Sequence, residues 1–225
     1  MLAVTGGKGG TGKTTTTLGL ARAVAVGGGG DAVAVDADWD LPDLGALAGV
    51  RRRTEYPDRG EAVDESPLDA VRTSADDSAV EVLPAPTRPG DHEPERLLGR
   101  VRRAAPSNAR VFVDCPAGAG PDAAAPLRVA DGALLVAEPC VAALRDAATA
   151  GSMARRLGTP VVGVVVNRAT AVPPDVSELL GCPVVGRIPR VREPVVESKR
   201  LRAAHGEIAA TLAAVEDGGE ATRGP

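Results

Sequence analysis

The chain has 225 residues, 44% of them apolar, and a formal net charge of −4. That length suits one large domain with a sizeable core, and the mild charge gives no global drive toward nucleic acid or an anionic membrane. Trp39, Tyr56 and Phe112 are the only aromatic residues, so the core must be built from Val, Leu and Ala.

No apolar stretch approaches the roughly 18 residues that span a bilayer. The chain runs straight into glycines, so no secretory leader is expected. Cys115, Cys140 and Cys182 are far apart and share no motif. They read as small buried hydrophobes in a reducing compartment, so the expected location is cytoplasmic.

In chain order, "MLAVT" is a short apolar run that ends in five glycines within residues 6 to 12. The next segment, "TTTTLGLARAVAV", has helical spacing, with Leu18, Ala21 and Val24 on one stripe. Further apolar runs occupy 32–36, 80–86, 110–118, 132–139, 160–168 and 182–189. They are nearly continuous rather than alternating, which marks strands buried on both faces, as in parallel sheets. Helical stretches fall near 94–104, 122–130, 141–157, 174–180 and 194–215. Residues 50–79 read as surface loop with a short helix. The expected fold is α/β: a three-layer, doubly wound, mostly parallel sheet flanked by helices. A single domain over 1–215 and a disordered tail over 216–225 are expected.

In such folds ligands bind at the carboxyl ends of the strands. Those ends carry the glycine loop, Asp36, Asp114, Glu138, Asn167, Arg187 and Arg190. Gly7 to Thr14, "GKGGTGKT", fits the phosphate-loop pattern G-x-x-x-x-G-K-[ST]. Its glycines let successive backbone N–H groups surround phosphate oxygens, and the following helix adds its positive end. Lys13 is placed to reach the β- and γ-phosphates, and the Thr14 hydroxyl to ligate Mg²⁺. Asp114, ending "VFVD", fits the Walker B position of such sites. After Asn167 come Arg168, Ala169 and Thr170, without the carboxylate that reads guanine three residues on. ATP is therefore expected over GTP.

Lys8 is extra to the phosphate-loop pattern. With it, "KGGTGKTT" resembles the deviant Walker A loop of the MinD/ParA ATPases. The segments "VDADWDLPDLGALAG" (35–49), "VEVLPAP", "DCPAGAG" (114–120), "ADGALLVAEPCVAALRDA" (130–147), "VVVNR" and "GRIPRVREPVVES" extend the resemblance, nearest the MinD branch. The resemblance implies a dimer that sandwiches ATP, with Lys8 crossing to the partner's phosphates. It implies that Gly9, Gly10, Thr11, Gly12, Lys13, Thr14 and Thr15 cradle the nucleotide and that Asp38 positions the attacking water. Asp36 and Asp114 would share the Mg²⁺ shell with Thr14. Asn167 and Arg168, with the backbone of Pro189, Arg190 and Val191, would hold the adenine.

The implied function is an ATP-hydrolysing dimerisation switch, slow and partner-stimulated. It would act in cell-division site placement or chromosome or plasmid partitioning, with an activator or cargo protein. The other class is an ATP-dependent biosynthetic ligase or kinase of the same superfamily. Only 50–79 is spare for its acceptor pocket, and it holds no cluster of His, Cys or aromatic residues. His92 and His205 are isolated and expected at the surface. Residues 194–215 lack Phe and Trp, so no strong autonomous membrane anchor is expected. Arg187, Arg190, Arg192, Lys199, Arg200 and Arg202 form a basic cluster able to bind DNA weakly and nonspecifically. Its simpler reading is a solvated helix face paired with Glu193, Glu197 and Glu207.

Overall fold

The structure is a computed structural model and describes residues 1–28, 30–51, 72–74, 77–192 and 197–220. Among these residues, eight strands form one sheet. They are β1 (Leu2–Thr5), β2 (Ala32–Asp36), β3 (Arg72–Ser74), β4 (Asp77–Leu83), β5 (Arg110–Asp114), β6 (Gly132–Ala137), β7 (Val161–Val166) and β8 (Val184–Arg187). The order across the sheet is β3-β4-β2-β5-β1-β6-β7-β8. All neighbours are parallel except β3, which pairs antiparallel with β4 at the edge.

The helices are α1 (Lys13–Val26), α2 (Leu44–Leu47), α3 (Pro94–Ala104), α4 (Pro121–Val129), α5 (Val141–Arg156), α6 (Val176–Leu180) and α7 (Lys199–Glu220). Alternate strand residues feed opposite faces of the sheet. Leu2, Val4, Ala34, Phe112 and Leu134 pack with Leu18 and Leu20 of α1 and Ile208 and Leu212 of α7. On the other face, Ala3, Val33 and Val113 meet Leu97, Leu98 and Val101 of α3 and Leu127 of α4. Leu135, Val164 and Val166 meet α5 and α6 there. Three layers result, with both sheet faces covered.

The apolar runs become the parallel strands, with ends shifted by a few residues. The segment from 50 to 79 differs from its expected loop and short helix. Arg72–Ser74 is an edge strand, β4 already starts at Asp77, and residues 52–71 lie outside those described. The short helix α2 comes earlier, before residue 50. Helix α7 continues to Glu220, past the boundary at 215 drawn from sequence; residues 221–225 lie outside those described.

The connectivity positions the site. From β1 the chain moves outward through β2 and β4, returns at β5, crosses β1 to β6, and leaves through β7 and β8. The carboxyl ends of β1, β2 and β5 therefore lie side by side, with Asp36 and Asp114 in register.

Candidate functional site

Residues 6–12 form the turn from β1 into α1. The turn is confined on both sides. A Cβ on Gly7 would lie 2.2 Å from the Asp146 backbone oxygen of α5. Gly12 has φ +92°, and a Cβ there would meet the Asn167 Nδ2 at 2.2 Å. Glycine is required at both positions, for close approach in one case and for a left-handed backbone in the other.

Lys13 opens α1 and is buried. Its ammonium turns back into the loop and donates to the Lys8 carbonyl oxygen at 3.4 Å, beside the Thr11 hydroxyl, which donates to the same oxygen at 3.2 Å. Lys8, Gly9 and Gly10 are exposed along the loop crest. The two lysines are thus separated by environment: one is enclosed by the loop, the other faces outward.

Two strand-end carboxylates lie next to each other, and Asp114 also feels the Lys13 charge. Asp36 is buried; its Oδ1 accepts the Asp38 N–H at 3.2 Å and its Oδ2 the Leu44 N–H at 3.2 Å. Burial, and then the neighbouring Asp114 charge, push its pKa up to about 8. Asp114 is 1% exposed. Burial raises its pKa to about 7, against a hydrogen bond with Thr14 and the Lys13 charge. Its Oδ1 has no hydrogen-bond partner among the described residues. An orphaned, buried carboxylate oxygen next to a second carboxylate and the Thr14 hydroxyl is a donor set that suits a hard divalent cation such as Mg²⁺. No three His, Cys, Asp or Glu side chains converge among the described residues. The remaining ligands would have to be phosphate oxygens and water, as is usual for Mg²⁺.

Asp38 is half-buried. Its Oδ1 accepts the Leu41 N–H at 3.2 Å, and burial raises its pKa. Trp39 was not legible as part of this site. Its indole Nε1 donates to the Asp36 carbonyl at 3.1 Å, and its ring meets His92 edge-on at 6.4 Å.

Across α1, Asn167 donates from Nδ2 to the Thr11 carbonyl at 2.6 Å, and its Oδ1 accepts the Arg168 N–H at 2.8 Å. Asn167, Arg168, Pro189 and Val191 join Gly12, Thr15 and Thr16 around a cavity of about 60 Å³. Arg190 is exposed nearby, and Arg168 pairs with Glu138. The structure thus brings the loop, both strand-end aspartates and the 167–191 segments to one end of the sheet.

Two expectations fail. Cys140 is exposed, unlike the buried Cys115 and Cys182. His205 is 3% exposed. The missed signal was its spacing: it lies on the stripe of Leu201, Ala204, Ile208 and Leu212, which packs against the sheet. In the basic cluster, Arg187, Arg190, Arg192, Lys199, Arg200 and Arg202 are all exposed. Among the described residues none forms an ion pair with Glu197 or Glu207; Glu193 lies outside them.

A glycine loop between a strand and a helix, with an enclosed lysine and paired strand-end aspartates, defines a phosphate-loop nucleotide-binding α/β protein. More narrowly, the chain belongs to the CobQ/CobB/MinD/ParA nucleotide-binding family, whose domain matches residues 2–199. It is 29% identical over 205 residues to an uncharacterized ATP-binding protein of Methanocaldococcus jannaschii, covering 84% of this chain and 73% of that protein. It is similar in structure to MinD of Aquifex aeolicus in a MinC:MinD complex, with a TM-score of 0.77, 25% identity and 95% of each chain covered. It also shares the fold of Pyrococcus horikoshii MinD complexed with Mg-ADP (TM-score 0.73, 24% identity, 92% of this chain and 93% of that one).

Proposed function

We propose that this protein is an ATP-dependent dimerisation switch of the MinD/ParA type. The observation that carries the reading is the division between its two loop lysines, Lys13 enclosed and Lys8 exposed. One cation serves the subunit's own nucleotide, and the other is free to reach a second copy.

The backbone N–H groups of Gly9 to Thr15 surround the phosphates. Lys13 exchanges its weak contact with the Lys8 carbonyl for the β- and γ-phosphates, a stronger charge-assisted pairing. Thr14, Asp36 and Asp114 would hold Mg²⁺, which would supply positive charge to neutralise the nucleotide's phosphates. Asp38 orients the attacking water. Asn167 and Arg168, with the Pro189–Val191 backbone, hold the adenine. Phosphoryl transfer needs positioning and charge neutralisation more than covalent chemistry. A Lys8 delivered by the partner therefore makes hydrolysis depend on assembly.

The product of such a switch is a change of partner affinity. Its role is in cell-division site placement or in chromosome or plasmid partitioning, and the MinC complex of the Aquifex relative supports a protein activator or cargo. The exposed arginines of the basic cluster favour weak nonspecific DNA contact. Leu201, Ile208 and Leu212 of α7 are engaged in the core, which argues against a strong autonomous membrane anchor there. No described helix is long and apolar enough to cross a membrane. The free cysteines suit a cytoplasmic setting.

Three variants test the mechanism by ATP binding and light-scattering mass. Lys13→Ala should lose both ATP affinity and turnover. Lys8→Ala should bind ATP yet neither dimerise nor hydrolyse. Asp38→Ala should accumulate an ATP-bound dimer. A Lys8→Ala protein that dimerises and turns over normally would reject the mechanism. Activity that rises with a small acceptor molecule rather than with protein concentration would point instead to a ligase or kinase.

A further inference from the structure

One side chain joins the phosphate loop to the far side of the site. Asn167 follows β7 directly and is 7% exposed. Its N–H donates to the Ala137 carbonyl at 2.8 Å, which carries the β6–β7 pairing one residue past β7. Its Nδ2 donates to the Thr11 carbonyl at 2.6 Å, and its Oδ1 accepts the Arg168 N–H at 2.8 Å. Both ends of the amide are engaged, so its orientation is fixed, and one hydrogen on Nδ2 remains for a base.

The contact with Thr11 bears on phosphate binding. In a trans peptide the C=O and the next N–H point to opposite sides. Holding the Thr11 carbonyl against Asn167 therefore aims the Gly12 N–H the other way. That N–H is one of those the proposed function places around the phosphates.

The amide is set in turn by the residue after it. Arg168 has φ +54°, and Asp175 is the other non-glycine residue in the left-handed region among those described. Arginine disfavours that backbone, so the surroundings must hold it. Two contacts do so. The Ala169 N–H donates to the Ile188 carbonyl at 2.9 Å. The Arg168 guanidinium pairs with Glu138 across the ends of β6 and β7. Glu138 is anchored as well: its carbonyl accepts the Cys140 N–H at 2.8 Å, at the start of α5.

We propose that Glu138 and Arg168 are positioning residues for phosphate binding. Their ion pair holds the left-handed turn, the turn sets the Asn167 amide, and the amide aims the Gly12 N–H at the phosphates. This rests on the reading of the loop as a phosphate cradle, and it gives that cradle a support from β6 and β7. Charge alone predicts the opposite sign for Glu138. Removing a carboxylate from the anion-binding end of the sheet would tighten an anion if only Coulomb attraction mattered. Under the positioning role, its removal loosens the anion.

The test uses the full chain and inorganic tripolyphosphate, which has phosphates but no base, with ATP titrated alongside. Glu138→Ala should bind tripolyphosphate about threefold more weakly, the size expected for a partly exposed ion pair. Arg168→Gly takes up the left-handed turn without needing the pair. In that background Glu138→Ala should have no further effect, a non-additivity that marks a shared route. Asn167→Ala should weaken tripolyphosphate about tenfold. The chain has no glutamine, so Asn108 and Asn167 carry its only side-chain amides. In the unliganded parent the Asn167 amide hydrogens should exchange with water more slowly than those of the exposed Asn108, and Glu138→Ala should speed their exchange. Tripolyphosphate affinity that is unchanged or tighter in Glu138→Ala overturns the proposal. So does an Asn167→Ala protein that loses affinity for ATP alone, because the amide then serves only the base. Equal exchange of the two amides in the parent overturns it without any variant. A parent that binds neither ATP nor tripolyphosphate rejects the phosphate-cradle reading itself, and this proposal with it.

Discussion

Asp36 and Asp114 pose a charge problem that a bound cation would resolve. Both folded-state pKa values are raised, to about 8 and about 7, from an unfolded value of 3.8. The folded chain therefore holds more protons than the unfolded chain between these limits. The stability this gives is fully present below 3.8 and is lost as pH rises through about 7 to 8. Thermal melts in EDTA, without nucleotide, should show a falling midpoint across that window. Asp36→Asn should flatten the fall, and a slope unchanged by it would mean that Asp36 is not buried as described. Trp39→Phe keeps an aromatic side chain, though a smaller one, and removes the donor to the Asp36 carbonyl. If Trp39 positions the Asp36–Asp38 turn, that variant should lower kcat by about tenfold with KM little changed. At the base, Thr170 stands where a guanine-reading carboxylate would be. ATP should therefore be preferred over GTP by at least about tenfold, or about 1.4 kcal/mol, in a competition titration.

Helix α1 makes its site through one end and its packing through the length behind. Gly7→Ala would drive a methyl group into the Asp146 backbone of α5, and neither side is a flexible side-chain tip. The loop must move, and ATP affinity should fall by about tenfold or more while the thermal midpoint changes little. The contact of α1 with α7 has its own pH signature. His205 has a folded pKa lowered to about 4 from 6.5, mainly by burial, with Arg22 the facing charge. Its contribution to stability is present above 6.5 and is lost as pH falls through about 4. His205→Leu should abolish that acid-side loss, opposite in sign to the aspartate effect. These elements differ in how far the sequence announced them. The strands β1, β2, β5, β6 and β7 were legible because burial on both faces leaves continuous Val, Leu and Ala runs. The phosphate loop and the strand-end aspartates were legible because local backbone chemistry dictates them. β3 was not, because an edge strand needs no apolar run; its three residues are Arg, Thr and Ser. Nor were Trp39 and His205, whose partners are Asp36 and Gly19: the turn geometry behind the first and the helix–helix contact behind the second are products of the fold.

At the scale of the whole molecule, the proposed switch leaves each subunit with an incomplete site. Lys13 is buried and its charge acts on the half-buried Asp38, whereas Lys8 is exposed. Specific ATPase activity should therefore rise with protein concentration and level off once dimers saturate, in parallel with light-scattering mass. The same geometry makes a sharper prediction for mixed variants. In a sandwich dimer, the site of one subunit uses its own Asp38 and its partner's Lys8. A Lys8→Ala subunit paired with an Asp38→Ala subunit then has one intact site, the one on the Lys8→Ala chain. The other site lacks both groups. Neither variant alone should turn over. Each mixed dimer has one working site of two, so an equimolar mixture should gain activity that neither component has, up to at most about half the parent rate, and less as Asp38→Ala chains pair with one another. If Lys8 instead acted within its own subunit, the intact combination would never form, and the mixture would stay as inactive as its components.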